Sequence, residues 1–473
     1  MYELFGLIVN FITAYILGFY IITVLQWYNY KISRIIFHFH KPLWHLLYFV
    51  IPIVTYIAAY KFFWIYLFFG LIPSLLIWQR RVKGLNVTQR VKRFFIYLGL
   101  FETLNLVFLN KLHYNPGIGV LAVLICAVAA SEITEYILFL KFKSQAKEKL
   151  SKINPKIVAI TASYGKTSIK NYLYQIIKDS FRVYKTPRSV NTIKGIVKDI
   201  NVDMPENVEI YIAEAGAREK GDILEIVKFL ENEYSILGKI GPQHIEYFKT
   251  LDNIKKTKLE IFQTPKLKKG FSYEVPYNEK VEVIKDKIKN IKATLDGIKW
   301  DVEIGGRLYS FECGILGGFN AVNVTLAVFQ ALELGLSIEE IQNKVLKLES
   351  VPHRLQKIEV GGKIIIDDSF NGNLEGMLES YDLVSRYEGK KVLVTPGIVE
   401  ATEKQNIKLA KKIDQVFDLV ILTGNINKKT LCNNITRADK IVLKTKKDLE
   451  KILAENTKAG DLILFSNDTP EYL

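Results

Sequence analysis

The stretch Lys156 to Ile169, KIVAITASYGKTSI, decides how the rest of the chain is read. The apolar run Ile157–Ile160 predicts a buried strand, and a helical pattern follows from Lys170 to Asp179. Between them Thr161 to Ser168 makes a tight loop with Gly165-Lys166-Thr167 at the helix start. Such a junction suits phosphate. Backbone N–H groups and the positive helix end face the anion, a lysine ammonium reaches the outer phosphates, and a threonine hydroxyl holds Mg²⁺. The usual spacing wants a glycine where Ile160 stands, so the general pattern is half met. The bland alternative is a chance Gly-Lys-Thr on a surface turn; the strand before and the helix after favour the phosphate loop.

Working outward, the downstream pattern alternates strands and helices. Apolar β-branched runs occur at 157–161, 208–213 and 234–238, and helical patterns at 166–179, 191–200, 221–231 and 253–262. That alternation predicts a mostly parallel sheet with helices on both faces, and ligands beyond the carboxyl ends of its strands. A second α/β unit is expected near the C-terminus, with strands at 364–369, 391–396, 419–424 and 462–466 and helices through 386 and over 402–413. Polar residues stand where the first unit's strands end: Glu214 closes IYIAE, and His244 follows Gly241-Pro242-Gln243. Lys258 and Glu260 sit on a helix further on. A carboxylate near Thr167 would complete a magnesium site on ATP phosphate oxygens. A lone histidine is more often structural, and a lone lysine on a helix usually faces solvent.

Upstream the chain is of another kind. Apolar runs cover 4–27, 43–60, 62–78, 94–109 and 118–140. The first and last match the roughly 20 residues that a membrane span needs. The net charge is +15, of which residues 1–150 carry +10 through 15 Lys/Arg and 5 Asp/Glu. This excess lies between the apolar runs, as the positive-inside rule expects, which argues against a nucleic-acid surface. With about five spans, the basic segments after runs one, three and five face the cytoplasm. The N-terminus then lies outside, and residues 141–155 form a basic linker to cytoplasmic domains. Glu102, Glu132 and Glu135 lie in or near the apolar runs, either as functional carboxylates or as helix-paired acids. Cys126, Cys313 and Cys432 are too dispersed for a disulfide framework or a zinc site.

The series TASYGKTS, NT at 191–192, AEAGA…GD at 213–222, GPQHIEYF at 241–248 and KTKLEIF at 256–262 resembles the central ATPase domain of the Mur ligase family. LGGFNAVN at 316–323, VPHRLQ at 351–356 and DDSFNGN at 367–373 resemble its adenine-binding junction and C-terminal domain. The resemblance spans about residues 155–473, in family order. It implies a central domain at 156–325 and a C-terminal Rossmann-like domain at 326–473, behind a helical module at 1–140. It also implies ATP-dependent amide formation through an acyl phosphate, in peptidoglycan precursor synthesis. YGKTSIK, VPHRL and DDSFNGN look most like the member that joins D-Ala-D-Ala to UDP-N-acetylmuramoyl-tripeptide.

By that resemblance the loop residues Ser163, Gly165, Lys166, Thr167 and Ser168 bind the nucleotide, with Lys166 and Thr167 on the γ-phosphate and Thr167 on the first Mg²⁺. Glu214 holds the same ion. His244 and a Lys258 carbamylated by CO₂ hold a second. Asn323 contacts adenine, Arg354 touches the nucleotide from across the domain cleft, and Asp368 holds the ribose. Departures are Ala162 for a loop glycine, tolerable if its φ is negative; Phe319 for the usual histidine before Asn320; and KKGFSYEVPYNEK where an Asn-x-Asp-Asp stretch usually closes the central domain. The family's soluble UDP-gripping domain is missing, and the apolar module stands in its place. Expected partners are the muramoyl peptide, D-Ala-D-Ala, membrane lipid and other cell-wall synthesis proteins, at a bacterial inner membrane. Two rivals remain. A poly-γ-glutamate or lipid-linked ligase shares the chemistry, though residues 350–473 argue against the former. A membrane transport or scaffold protein with a regulatory ATPase lacks a charged pathway in its apolar half.

Overall fold

The computed structural model describes residues 2–467 apart from 29, 31, 33–34, 36–42, 83, 113, 243–247, 371, 400, 425–426 and 444–447. It divides into two compact units, Met1–Lys143 and Ser144–Leu473.

The first unit is helical. Its helices are α1 (Tyr2–Trp27), α2 (Leu43–Ala58), α3 (Phe63–Arg81), α4 (Gln89–Leu112) and α5 (Pro116–Ile153), the last running on into the second unit. By length and composition α1, α3 and α5 could cross a membrane; α2 is shorter. Five apolar runs thus become five helices, of which three among the described residues meet the criteria for a span. One apolar core, including Leu17, Tyr20, Phe63, Phe94 and Leu124, joins them. The acids at issue are paired. Arg90 and Arg93 on α4 bind Glu132 and Glu135 on α5. Glu102 is fully buried and accepts from Asn10 at 2.9 Å and Asn105 at 3.2 Å. Tyr56 donates to Asn10 at 2.7 Å, so three helices meet at this one carboxylate. The expected linker 141–155 is helical through Ile153. It contains no Gly or Pro before Pro155 to stop the helix, and Lys152–Glu148 adds an i,i+4 pair.

The second unit holds two parallel sheets. The central one has the order β2-β3-β1-β4-β5-β6, all parallel. Its middle strands β1 (Lys156–Thr161), β3 (Ile210–Glu214) and β4 (Tyr234–Leu237) are almost wholly buried, as a sheet covered on both faces demands. The short outer strands β2 (Val183–Lys185), β5 (Lys269–Ser272) and β6 (Val281–Val283) escape a reading based on long apolar runs. So does an antiparallel sheet of β7 (Ile288–Thr294), β8 (Gly297–Ile304) and β9 (Arg307–Cys313). Trp300 of β8 anchors this sheet in the central core and donates to Thr325 at 2.9 Å.

The C-terminal sheet has the order β10-β11-β15-β12-β13-β14. It is parallel except for the edge strand β10 (Gln356–Val360), which pairs antiparallel with β11 (Lys363–Asp368). The other strands are β12 (Lys391–Thr395), β13 (Leu419–Leu422), β14 (Asp439–Val442) and β15 (Leu462–Ser466). The boundary expected at 325 falls inside the helix Phe319–Glu333. That helix and the next (Ile338–Leu346) pack into the central core, which extends to Val351; the C-terminal core takes in Leu316 and resumes at Leu355.

Candidate functional site

β1 and β3 lie side by side, with Ile160 opposite Glu214. Thr161 and Glu214 therefore sit together at the carboxyl ends of the central strands. The helix Lys166–Ile177 starts directly above them. Its N-cap, Gly165, has φ +83° and offers no capping side chain. The positive helix end is thus open to an anion. A Cβ on Gly165 would stand 2.6 Å from Asn323 Oδ1, so only glycine fits both the backbone and the space. Ala162 is buried and absent from the positive-φ residues, which satisfies the condition set for it. Ser163 braces the loop: its N–H donates to the Lys239 carbonyl at 2.9 Å and its hydroxyl to that of Gly241 at 3.0 Å. Ser168 is buried in the first helical turn.

Thr167 Oγ1 donates to Glu214 Oε2 at 2.9 Å, and both side chains are buried. Arg354, from the turn that opens the C-terminal domain, donates to the same hydroxyl at 3.3 Å. Lys166 curls over its loop onto the carbonyls of Ala162 at 2.8 Å and Ser163 at 3.3 Å. Burial pushes its ammonium down to about 8, against a partial counter-pull from Glu214. Lys258 is buried with Nζ 3.4 Å from Thr161 Oγ1; burial, and then the neighbouring Lys166 charge, hold it well below the ordinary lysine range. Asp368 ends β11, where burial raises its carboxyl to about 7, although Arg354 pulls the other way. Glu214 behaves differently. Burial would raise it, but Lys170, Lys166, Asn191 and Thr167 together hold it below the usual carboxylate range.

Of the residues singled out in the sequence, the structure brings Lys166, Thr167, Glu214, Lys258, Arg354 and Asp368 to one place. Asn323 lies against the phosphate loop at Gly165 and donates to Asn320 at 2.9 Å. His244 lies outside the described residues. Asn373 caps the helix Leu374–Val384, accepting from Gly376 N–H at 3.0 Å. Glu260 likewise caps the helix Asp222–Leu230 through the N–H groups of Gly221 and Leu224. Two residues lie within quoted motif stretches but were given no role there. Lys170 is 1% exposed and lies 3.2 Å from Glu214 Oε2, and Asn191 donates to Glu214 Oε1 at 3.1 Å. The spacing held a signal for the first: Lys170 is i+3 from Thr167 and i+4 from Lys166, hence on the same helix face.

Among the described residues no group of three His, Cys, Asp or Glu side chains could hold a metal. A divalent ion here would take one carboxylate (Glu214), one hydroxyl (Thr167) and phosphate oxygens. That hard-oxygen, phosphate-completed donor set suits Mg²⁺.

Residues 160–331 match the family model described as the Mur ligase middle domain. The chain is 26% identical over 345 residues to a UDP-N-acetylmuramoyl-tripeptide–D-alanyl-D-alanine ligase of Bacillus subtilis, covering 68% of this chain and 74% of that one. It is 23% identical over 264 residues to the Escherichia coli enzyme of the same name, covering 52% and 58%. The structure resembles the MurF ligase of Thermotoga maritima solved in complex with ADP, with TM-score 0.61, 25% identity, and coverage of 70% of this chain and 80% of that one.

Proposed function

We propose, from the premise that this chain belongs to the Mur ligase family through its middle domain at residues 160–331, that it is an ATP-dependent ligase joining D-Ala-D-Ala to UDP-N-acetylmuramoyl-tripeptide in peptidoglycan synthesis. The observation that carries this reading is the meeting of Lys166, Thr167 and Glu214 from one domain with Arg354 and Asp368 from the next. That arrangement supports a nucleotide held by the phosphate loop on one side and by the C-terminal domain on the other.

The γ-phosphate passes to the tripeptide carboxylate, giving an acyl phosphate and ADP. The amine of D-Ala-D-Ala then attacks that carbonyl, and phosphate leaves. Lys166 and the first-turn N–H groups hold the phosphates in line and neutralise charge on the transferring group. Arg354 adds a second cation from the far side of the cleft. Closure of the C-terminal domain excludes water that would hydrolyse the acyl phosphate. Mg²⁺ on Thr167 and Glu214 would supply further charge neutralisation. For Lys258 we propose carbamylation as a ligand to a second ion. Its support is chemical, since burial holds the Lys258 amine well below the ordinary lysine range and an uncharged amine is the form that reacts with CO₂. Lys258→Ala then nearly abolishes turnover and a small carboxylic acid partly restores it; full activity in the variant would remove the role.

The apolar module supports a place at a bacterial cytoplasmic membrane, with the N-terminus outside and the ligase domains in the cytoplasm. It also favours a second reading, in which the acceptor peptide is carried on a lipid. The apolar helices fall outside the middle-domain match, while the alignment leaves a quarter of the B. subtilis enzyme without a counterpart here. One assay separates these readings. Purified full-length protein receives ATP, D-Ala-D-Ala and either the UDP-linked or the lipid-linked tripeptide, and products are weighed by mass spectrometry. Equal yields of pentapeptide, ADP and phosphate support the ligase. Phosphate release that ignores both carboxylate and amine would leave a regulatory ATPase.

A further inference from the structure

Lys170 has no part in the mechanism above, yet its ammonium is one of the most deeply buried cationic groups of the chain. It is 1% exposed, on the inner face of the helix that follows the phosphate loop. It donates to the Arg188 carbonyl at 2.5 Å and lies 3.2 Å from Glu214 Oε2. The same oxygen accepts from Thr167 at 2.9 Å, while Oε1 accepts from Asn191 at 3.1 Å. Both carboxylate oxygens are thus engaged by protein groups, and the one facing Thr167 is balanced by a fixed positive charge. Burial works against the Lys170 charge, and the Glu214 carboxylate is the strongest influence in its favour.

We propose that Lys170 is a positioning residue that makes divalent-cation binding at Thr167 and Glu214 conditional on nucleotide. In the nucleotide-free protein its ammonium stands in for the ion by neutralising Glu214. A second cation brought to the same oxygen meets that ammonium at close range in a dry environment, where charge repulsion is weakly screened. Nucleotide phosphates reverse the balance, because they bring several negative charges past Lys166 and leave Glu214 able to serve two cations. Metal and nucleotide then enter as a unit, and the site does not fill with free metal. The Arg188 carbonyl and Asn191 keep Lys170 and Glu214 aligned throughout. The inference rests on the proposed metal role of Thr167 and Glu214.

The test is Mn²⁺ binding to the full-length protein, followed by electron paramagnetic resonance with and without ADP, which reads metal occupancy and needs no turnover. Without ADP, Lys170→Gln should bind Mn²⁺ at least about tenfold more tightly than wild type, the order expected when one unit charge is removed a few ångströms from the ion. Lys170→Arg should behave as wild type. With ADP the difference should shrink. Should Lys170→Gln not fold, acetyl-lysine incorporated at 170 keeps the stem and removes the charge. Unchanged Mn²⁺ affinity in a folded, charge-free variant overturns the proposal, as does wild-type protein binding Mn²⁺ equally well with and without ADP. Glu214→Gln is the control on the underlying reading: if it binds Mn²⁺–ADP as wild type does, the metal site itself is misplaced, whatever Lys170 does.

Discussion

The buried Lys170–Glu214 pair makes a quantitative prediction about stability that needs no substrate. Both side chains are 1% exposed and 3.2 Å apart. Glu214→Gln leaves the ammonium facing a neutral amide in a dry site. Removing one partner of such a pair costs about 3–5 kcal/mol, because the survivor stays buried and uncompensated. Lys170→Met should cost somewhat less, about 2 kcal/mol, since Glu214 keeps Thr167, Asn191 and the nearby Lys166 charge. In the double variant no charge is stranded. Its loss should fall short of the summed single losses by at least about 2 kcal/mol, within the range seen for contacting residues. At roughly 2 °C per kcal/mol for a unit of this size, Glu214→Gln should melt about 6–10 °C lower, with much of that regained in the double variant. Differential scanning fluorimetry of the four proteins closes the cycle. Losses that add to within about 0.5 kcal/mol would mean that the two groups act independently and that the geometry argued here carries no energy.

Four further outcomes follow from the same site. Lys166 sits at about 8 without nucleotide, so at pH 8.5 most of its ammonium is discharged; binding ADP should restore the charge and take up roughly three-quarters of a proton, read by calorimetry in buffers of different ionisation enthalpy, and a buffer-independent heat would refute it. The unfolded chain binds more protons than the folded one between about 8 and 10.4, so stability rises with pH across that window and Lys166→Met should flatten the rise. Gly165→Ala forces a side chain into φ +83° and towards Asn323; it should cost about 1–2 kcal/mol and weaken ADP binding tenfold or more, and unchanged affinity would show that loop and Asn323 can part freely. Asp368, raised to about 7, binds a proton in the folded state that the unfolded state has lost above about 4; stability therefore falls as pH climbs from about 4 to 7, and Asp368→Asn should lack that slope in melting curves.

What the sequence disclosed, and what it hid, divide along physical lines. β1, β3 and β4 are buried on both faces and read as unbroken apolar runs, so they were visible. β2 and β6 are three residues each, too short for any period, and β7 is mostly exposed with a bulge between Lys289 and Lys292. The phosphate loop was legible because its chemistry is local in sequence. The approach of Arg354 to Thr167 spans 187 residues, and no residue pattern predicts such a contact; resemblance to a family suggested Arg354, and the fold supplies the distance. Lys170 was passed over for the opposite reason. A lysine on a helix is ordinarily solvated, and only the position of Glu214 on the neighbouring strand turns this one inward. Residues 141–153 misled because their composition is basic and polar, which fits a linker as well as an exposed helix.

The electrostatics of the site explain why these residues are placed where they are. Without nucleotide, burial pushes Lys166 and Lys258 towards the uncharged amine and Asp368 towards the uncharged acid. Each departs from its ordinary state because the fold removes water before a partner is present. Glu214 is the exception, kept ionised by Lys170 and by hydrogen bonds from Thr167 and Asn191. The site therefore pairs one fixed negative charge with Lys170, beside a Lys166 whose charge burial has weakened. A polyphosphate restores charge to Lys166 as it binds, and the energy spent on desolvation during folding returns as selectivity for an anion. A neutral or cationic molecule of equal size would gain nothing from Lys166 and would leave it discharged. Competition binding should therefore rank ADP far above adenosine at pH 7 and by about fourfold less at pH 8.5, because ADP must then take up the proton that Lys166 has lost, while adenosine takes up none. Equal preference at the two pH values would show that Lys166 does not recognise the phosphates, and the phosphate-loop reading would lose its central cation.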